Sequence, residues 1–160
     1  MNTNESEVCC PKFDPVPWDN QFHEWKDKEF IREKIFTFMF MPVGFGKAMT
    51  RMDEQVRKAG ALNPEHLCIC EHASAWSMSI NQAVDKTIPG ADNVTISGKF
   101  YSKVYEGEFK DTGKWHKDFE QTVQSKKLKL STTFMWYTTC PKCAKKYGKN
   151  YTVIFGKLEE

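Results

Sequence analysis

The chain has 160 residues, of which 40% are hydrophobic, 14% aromatic and 28% charged. This length suits one domain with a substantial buried core, and the composition excludes a disordered chain. The formal net charge of +2 lacks the concentrated basic field of proteins that bind nucleic acid mainly through phosphates. No stretch approaches the roughly 18 uninterrupted apolar residues of a membrane span, and the polar, acidic N-terminus does not resemble a signal peptide. We therefore expect a cytoplasmic protein that binds neither nucleic acid nor membranes.

The first 29 residues are predicted to form an irregular arm. Pro11, Pro15 and Pro17 interrupt the segment, and no period of two or 3.6 is sustained. Its aromatic side chains are too numerous for a free tail: Phe13, Trp18, Phe22 and Trp25. We therefore expect the arm to lie against a single domain formed by residues 30–160.

The first regular elements are a strand and a helix. Residues 31–41, with the sequence IREKIFTFMFM, have the alternation and aromatic content of a strand with two apolar faces. Pro42 and Gly44 end that strand. Apolar residues at helical spacing from Phe45 to Ala59 then predict a helix that Gly60 closes. Residues 67–71 and 76–86 predict a hairpin of two further strands.

The same pattern recurs after Pro89 and Gly90. Residues 94–106 predict a strand, Asp111 can cap a helix that carries Trp115 and Phe119, and residues 128–139 and 150–158 predict two more strands. This repetition predicts an α+β fold of duplicated strand-helix-strand-strand units, with one mostly antiparallel sheet and two helices on one face. The other face would then form a concave ligand site at the junction of the halves.

Four short motifs follow one another in the second half. They are the strand segment Gly98-Lys99-Phe100-Tyr101, the turn segment Val104-Tyr105-Glu106-Gly107-Glu108-Phe109, the helix with Trp115, and Trp136-Tyr137. Their order and spacing resemble the GyrI-like small-molecule-binding domains. The whole chain, with C-C-P-x-F-D-P-x-P-W-D near its start, also resembles a set of stand-alone bacterial proteins labelled hydrolases.

The resemblance implies a pocket between two repeats that takes bulky apolar compounds, often planar or cationic. It also implies hydrolysis as an additional activity, since some members open strained rings of genotoxic natural products. Glu106 matches the glutamate of the family's E-G turn and is the candidate catalytic residue, with Glu71 as the second choice. The last strand departs from the family pattern, because residues 151–155 contain no carboxylate.

Five aromatic residues of the predicted strands are candidate ligand-binding residues: Trp76, Tyr101, Tyr105, Trp136 and Tyr137. Their flat rings suit planar or cationic ligands through stacking and cation–π contacts, each worth about 0.5–2 kcal/mol. Core packing is the alternative, and the period of two sends Trp136 and Tyr137 to opposite faces of their strand. The leading hypothesis is binding of a hydrophobic or aromatic small molecule.

The six cysteines are better explained as reduced thiols than as a disulfide framework, which is typical of small secreted chains. Cys140 and Cys143 have the spacing with which two thiolates bind one tetrahedral zinc ion. Cys9 and Cys10, or one of them with His23 or His72, would complete the ligand set if the arm folds back to this hairpin. A redox pair and unliganded thiols stay open as alternatives. A metal-thiolate protein is therefore the alternative function, with zinc as the candidate cofactor.

Overall fold

The computed structural model describes residues 12–138 and 145–159. In this part of the chain the elements, in order, are β1 (Gln21–Phe38), β2 (Met41–Pro42), α1 (Phe45–Lys58), β3 (Cys68–Ser74), β4 (Ser77–Ala83), β5 (Asp92–Glu106), α2 (Thr112–Ser125), β6 (Leu130–Tyr137) and β7 (Tyr151–Leu158). Short 3-10 turns cover Pro64–His66 and Phe109–Asp111. No helix within these ranges is long and apolar enough to span a membrane.

The chain divides into two compact units. Glu24–Gly98 form one, which we call the N-terminal unit. The residues up to His23 and those from Lys99 onward form the other, which we call the C-terminal unit. Strands β1 and β5 each contribute residues to both units.

The N-terminal unit is an antiparallel sheet, in the strand order β2-β1-β4-β3, with α1 on one face. Arg51 of α1 pairs with Glu33 of β1. The side-chain amide of Gln82 on β4 donates to Asp53 of α1, at 3.0 Å from Nε2 to Oδ1. The face that carries these partners is therefore the helix side of the sheet.

Two thiols lie on the helix side of β3. Cys68 and Cys70 are both buried and unpaired by disulfide, and Cys68 Sγ lies 3.8 Å from Met49 Sδ of α1. The hydrogen bond with Cys68, together with burial, raises the pKa of the Cys70 thiol well above its usual range. Both residues are thus buried packing thiols, as their alternation on an apolar strand indicates.

The C-terminal unit is also antiparallel, with β7 between β5 and β6. Helix α2 buries Trp115, Phe119 and Val123 against a cluster that includes Tyr101, Met135 and Ile154. Gly156 on β7 allows this close packing, because a Cβ there would lie 2.6 Å from Cδ2 of Leu130. The strand that comes last in sequence is central here, as β4 is between β1 and β3 in the N-terminal unit.

The predicted antiparallel α+β architecture is confirmed, while the first strand differs from its predicted bounds. The strand begins at Gln21, ten residues before the predicted start at Ile31. Asp27 has a φ of +49° inside the strand, and this irregularity disturbs the alternation of side chains by which a strand is predicted. The strand ends at Phe38 because Met39 and Phe40 form a turn with φ values of +48° and +72°. Asp111 precedes α2 at the predicted position, but its side chain makes no capping hydrogen bond.

Candidate functional site

The three strands of the C-terminal unit present two different faces. Strand pairing aligns Tyr101 with Gly156, and Tyr105 with Thr152. Tyr137 of β6 also lies opposite Thr152, so it shares their face. This is the helix side, where Tyr101, Tyr105 and Tyr137 belong to the apolar cluster under α2. Trp136 points to the opposite face, as the period of two predicts.

On the helix side the tyrosine rings stack on residues of α2. The ring centroids are 5.8 Å apart for Tyr101 and Phe119, and 5.9 Å apart for Tyr105 and Trp115. The Tyr105 hydroxyl donates to Asp118 at 2.6 Å. Burial and this carboxylate raise the pKa of Tyr105 far above its usual range. These rings hold α2 on the sheet, which is a structural role.

The Tyr105 hydroxyl belongs to a small polar network on α2. Lys103 Nζ donates to Asp118 Oδ2 at 2.6 Å and to Thr122 Oγ1 at 3.1 Å. The hydrogen bonds from Lys103 and Tyr105 lower the pKa of the Asp118 carboxyl. The network is half-exposed and ties β5 to α2.

The opposite face carries a cluster of rings, which we call the arm cluster: Phe13, Trp18, Trp136, Tyr151 and Phe155. The Trp136 and Phe155 rings stack on the sheet with centroids 6.3 Å apart. Residues of the arm cover them. Phe13 packs edge-on against Trp136 at 5.3 Å, and Trp18 does so at 5.0 Å. Trp18 retains 8% exposure and Trp136 3%, so the two rings are part of the core.

Hydrogen bonds fix the arm on β5. The arm turns at Pro15, whose carbonyl accepts from the backbone N–H groups of Trp18 and Asp19 at 3.0 and 2.9 Å. Three bonds then join it to β5: Ser102 Oγ donates to the Trp18 carbonyl at 2.6 Å, the Val104 N–H donates to Asp19 Oδ1 at 3.1 Å, and the Tyr101 hydroxyl donates to Asn20 Oδ1 at 2.6 Å. These three bonds hold the described residues of the arm up to Asn20 against β5.

A serine and a histidine meet beneath the arm, but they are not arranged as a nucleophile and its base. His23 Nε2 lies 2.7 Å from Ser102 Oγ. The Ser102 hydroxyl proton is directed to the Trp18 carbonyl, so His23 acts as the donor in this pair. A base that activates serine must accept the hydroxyl proton. Ser102 is also fully buried, and the pair anchors the arm.

Two neighbouring cavities open at the edge of the arm cluster. The first, of about 430 Å³, is lined by Lys12, Phe13, Asp14, Tyr147, Lys149 and Tyr151. The second, of about 500 Å³, is lined by Glu106, Gly107, Glu108, Lys145, Lys149 and Asn150. Lys149 borders both. The first has aromatic walls that continue the arm cluster, whereas the second is lined by charged residues, glycines and Asn150.

The candidate catalytic residue Glu106 lies at the second cavity. It ends β5 directly opposite Tyr151, and its side chain is exposed. The turn that follows needs glycine, because Gly107 has a φ of +146° and a Cβ there would lie 3.3 Å from both Asp111 and Trp115. The Asn150 amide closes the turn by donating to the Gly107 carbonyl at 2.8 Å. Glu106 is thus an exposed carboxylate at the second cavity, directly opposite the Tyr151 that lines the first.

Residues 1–158 match the family model described as "Bacterial hydrolase". The chain belongs to this family. Among proteins of curated function there is no match to the chain.

Several solved structures have a similar fold. The EcmrR C-terminal domain has a TM-score of 0.71 at 12% identity, over 89% of this chain and 98% of that one. A hydrolase from Listeria innocua has a TM-score of 0.60 at 11% identity, over 88% and 93%. SAV2435 bound to tetraphenylphosphonium has a TM-score of 0.50 at 15% identity, over 87% and 93%. At these low identities the similarity shows the fold alone. The fold of these structures fits the GyrI-like fold predicted from the sequence.

The two residues predicted in the first half lie in the N-terminal unit. Trp76 follows β3 in the turn to β4, and it is 51% exposed. Its ring stacks on that of Phe36, with centroids 6.4 Å apart. Glu71 lies opposite Ser79 on the face away from α1. The assignment of the five aromatic residues and of Glu106 to a ligand site stays a prediction.

The predicted zinc ligands Cys9, Cys10, Cys140 and Cys143 lie outside the described residues. Within residues 12–138 and 145–159, no group of three or more His, Cys, Asp or Glu side chains could hold a metal ion. The zinc site therefore stays a prediction that rests on cysteine spacing.

Sequence analysis did not identify three features of the C-terminal unit: Tyr151 as a wall of the first cavity, Lys149 as the border of both, and the bond between His23 and Ser102. The position of Tyr151 could have been predicted from the sequence, because Tyr151 starts a strand whose alternation places it on the same face as Phe155. The other two depend on contacts between residues far apart in sequence.

Proposed function

We propose that the protein binds hydrophobic or aromatic small molecules at the cavity beside Phe13 and Tyr151. The observation that carries this proposal is the continuity of aromatic surface from the buried Trp136 through Phe13 to Tyr151, whose ring centroids lie 5.3 and 5.5 Å from that of Phe13. A volume of about 430 Å³ is within the usual range of small-molecule sites. The binding of tetraphenylphosphonium by the similarly folded SAV2435 supports the same ligand class.

Charge at the two cavities is mixed. Lys12 and Lys149 line the first together with Asp14, and Glu106 and Glu108 line the second with Lys145. The site therefore does not select a cation by charge alone, and the aromatic walls supply most of the binding free energy. This agrees with the lack of a carboxylate in residues 151–155.

The test compares two ions of the same shape and opposite charge, tetraphenylphosphonium and tetraphenylborate. Titration calorimetry and tryptophan fluorescence should show that both bind. Replacing Tyr151 with Ala should weaken binding of both by about 1–3 kcal/mol, because an anchoring ring is lost. Phe22→Ala is the matched control, since Phe22 contacts Tyr101 on the helix side. Absence of binding, or equal affinity in Tyr151→Ala and wild type, would reject the proposal.

Hydrolysis is proposed as a second activity of the same site. The family description and the position of Glu106 beside the cavities support it. Glu106 would act as general base and take a proton from the water that attacks a carbon of the bound, strained ring. The attacked ring bond would break, its electron pair would go to the leaving ring atom, and that atom would then be protonated by the proton that Glu106 holds or by solvent. Glu106→Gln should abolish hydrolysis while tetraphenylphosphonium affinity changes less than twofold. Glu108→Gln is the control, because Glu108 lines the same cavity and pairs with Lys110. Full activity in Glu106→Gln would reject the assignment.

A further inference from the structure

Large apolar side chains are concentrated at one end of β1 in the N-terminal unit. We call them the hairpin patch: Phe36, Phe38, Met39, Phe40, Met41, Val43 and Trp76. Each is 51–70% exposed among the described residues. Residues 35–46 contain no charged side chain, and Lys34 and Lys47 flank them. Single exposed apolar residues are ordinary, whereas a contiguous patch of this kind marks an interaction surface.

The patch is continuous, and most of it lies on one face. Trp76 contacts the rings of Phe36 and Phe38, with centroids 6.4 and 5.5 Å apart. Met41 lies directly opposite Phe38 in the register, and the Val43 N–H donates to the Phe36 carbonyl at 3.0 Å. Strand residues that lie opposite each other share a face of the sheet. The face is the one away from α1.

Strand addition at this edge is disfavoured. β2 is the edge strand of the unit, and it is only two residues long. Met41 and Val43 direct their N–H groups toward β1, so the backbone nitrogen of Pro42 faces outward. Proline has no N–H to donate to an added strand. A partner must therefore contact the side chains of the patch.

We propose that the hairpin patch is the interface of a two-fold symmetric dimer of this chain. In a two-fold dimer the patch of one subunit contacts the same patch of the other, so a net charge in the patch would face a like charge and weaken the interface. This patch carries none. At exposures of 51–70% its side chains present on the order of 700 Å², given 150–250 Å² for a fully exposed aromatic residue. One partner of a standard interface contributes about 800 Å².

The composition agrees with a protein interface. Phenylalanine, tryptophan and methionine are enriched in protein interfaces, whereas lysine is depleted there and the rim is polar. A membrane surface would instead call for a cluster of basic residues, whereas only Lys34 and Lys47 border the patch in sequence. A small molecule would cover a fraction of the area. A second copy fits the observations best.

The test is sedimentation equilibrium of the full chain up to roughly 100 µM, above the micromolar limit of weak interfaces of this size. The wild type should be a dimer. Phe38→Lys should raise the dissociation constant by about 30-fold or more, because it sets two like charges in the apolar interface. Leu62→Lys is the matched control, since Leu62 is 69% exposed in the same unit and outside the patch. This control should dimerise as the wild type does.

The remaining outcomes overturn the proposal. They are a monomeric wild type, a dimer that survives Phe38→Lys, and a dimer lost equally in Leu62→Lys. Co-sedimentation of a monomer with anionic phosphatidylglycerol vesicles, lost in Phe38→Lys, would assign the patch to lipid. Loss of tetraphenylphosphonium binding in Phe38→Lys, with the dimer intact, would assign it to the ligand. Thermal unfolding checks that Phe38→Lys folds, as expected for a residue that is 56% exposed.

Discussion

The face of the sheet away from the helix differs between the two units. In the C-terminal unit this face carries Trp136, and the arm covers it with Phe13 and Trp18. In the N-terminal unit the corresponding face carries Phe36, and Trp76 beside it is exposed. The strand order is the same in both, with the last strand in the centre.

The difference shows that strand pattern and topology do not decide whether an aromatic residue becomes core or surface. A segment distant in sequence decides it. Where the arm docks, the aromatic face becomes core and a cavity opens at its edge. At the end of β1 that carries the hairpin patch, the aromatic side chains of this face remain exposed. The same fold thus carries the proposed small-molecule site in one unit and the proposed contact surface in the other.

The largest expected effect is the difference in unfolding free energy between replacing a buried tryptophan of the arm and replacing an exposed one. Trp18→Ala removes a buried ring that contacts Trp136 and Phe155, so the free energy of unfolding should fall by about 3–5 kcal/mol. Trp76→Ala should cost less than about 1 kcal/mol in the monomer, because half of its ring is already in water. Urea unfolding of both variants at low protein concentration measures the difference. Equal costs would break the comparison.

A second, smaller effect concerns how closely the helix lies on the C-terminal sheet. Gly156→Ala places a Cβ 2.6 Å from Leu130 and 3.2 Å from Phe119, so overpacking should cost about 1–3 kcal/mol. Gly113→Ala is the control in α2, where no atom lies within 4 Å of the added Cβ. Helix propensity predicts that this control stabilises the protein by up to about 1 kcal/mol. Thermal unfolding should show shifts of opposite sign, and a neutral Gly156→Ala would contradict the tight packing.

The smallest effect is a pH dependence at Asp118. The folded state lowers the pKa of this carboxyl, so its contribution is fully present above the unfolded value, near 4, and disappears as the pH falls through the lower folded value. Asp118→Asn should cost less than about 1 kcal/mol at pH 7, because the pair with Lys103 is half-exposed. The cost should vanish in acid-urea titrations once the pH lies below the lowered folded pKa of Asp118. A cost that persists there would show that the carboxylate charge is not involved.

Much of the fold could be predicted from the sequence, because its signals are local. The apolar stripe from Phe45 predicts α1 to within one residue of its C-terminal end. Trp115 and Phe119 are buried in α2 as their spacing predicts. The turn at Met39 and Phe40 could not be predicted, since bulky residues rarely adopt positive φ values and none of the usual turn residues marks it.

The site was less predictable, for a geometric reason. Alternation separates Trp136 from Tyr137, but it does not say which of them lies on the helix side. Tyr101 and Tyr105 proved to stack on α2, a fact set by where the helix crosses the sheet. The aromatic residues of the arm indicated that it packs on the rest of the chain. The residues that it covers, Trp136 and Phe155, could be identified only from the fold.

The buried thiols of β3 allow transient local opening of the N-terminal unit to be measured under native conditions. Disulfide reagents react with thiolates, and both burial and protonation protect Cys70. Replacing Cys9, Cys10, Cys140 and Cys143 with Ser would leave this pair as the sole source of reactive sulfur. Each labelling event would then record a transient opening under α1, and the labelling rate, divided by that of a free thiol, would give the opening equilibrium without denaturant.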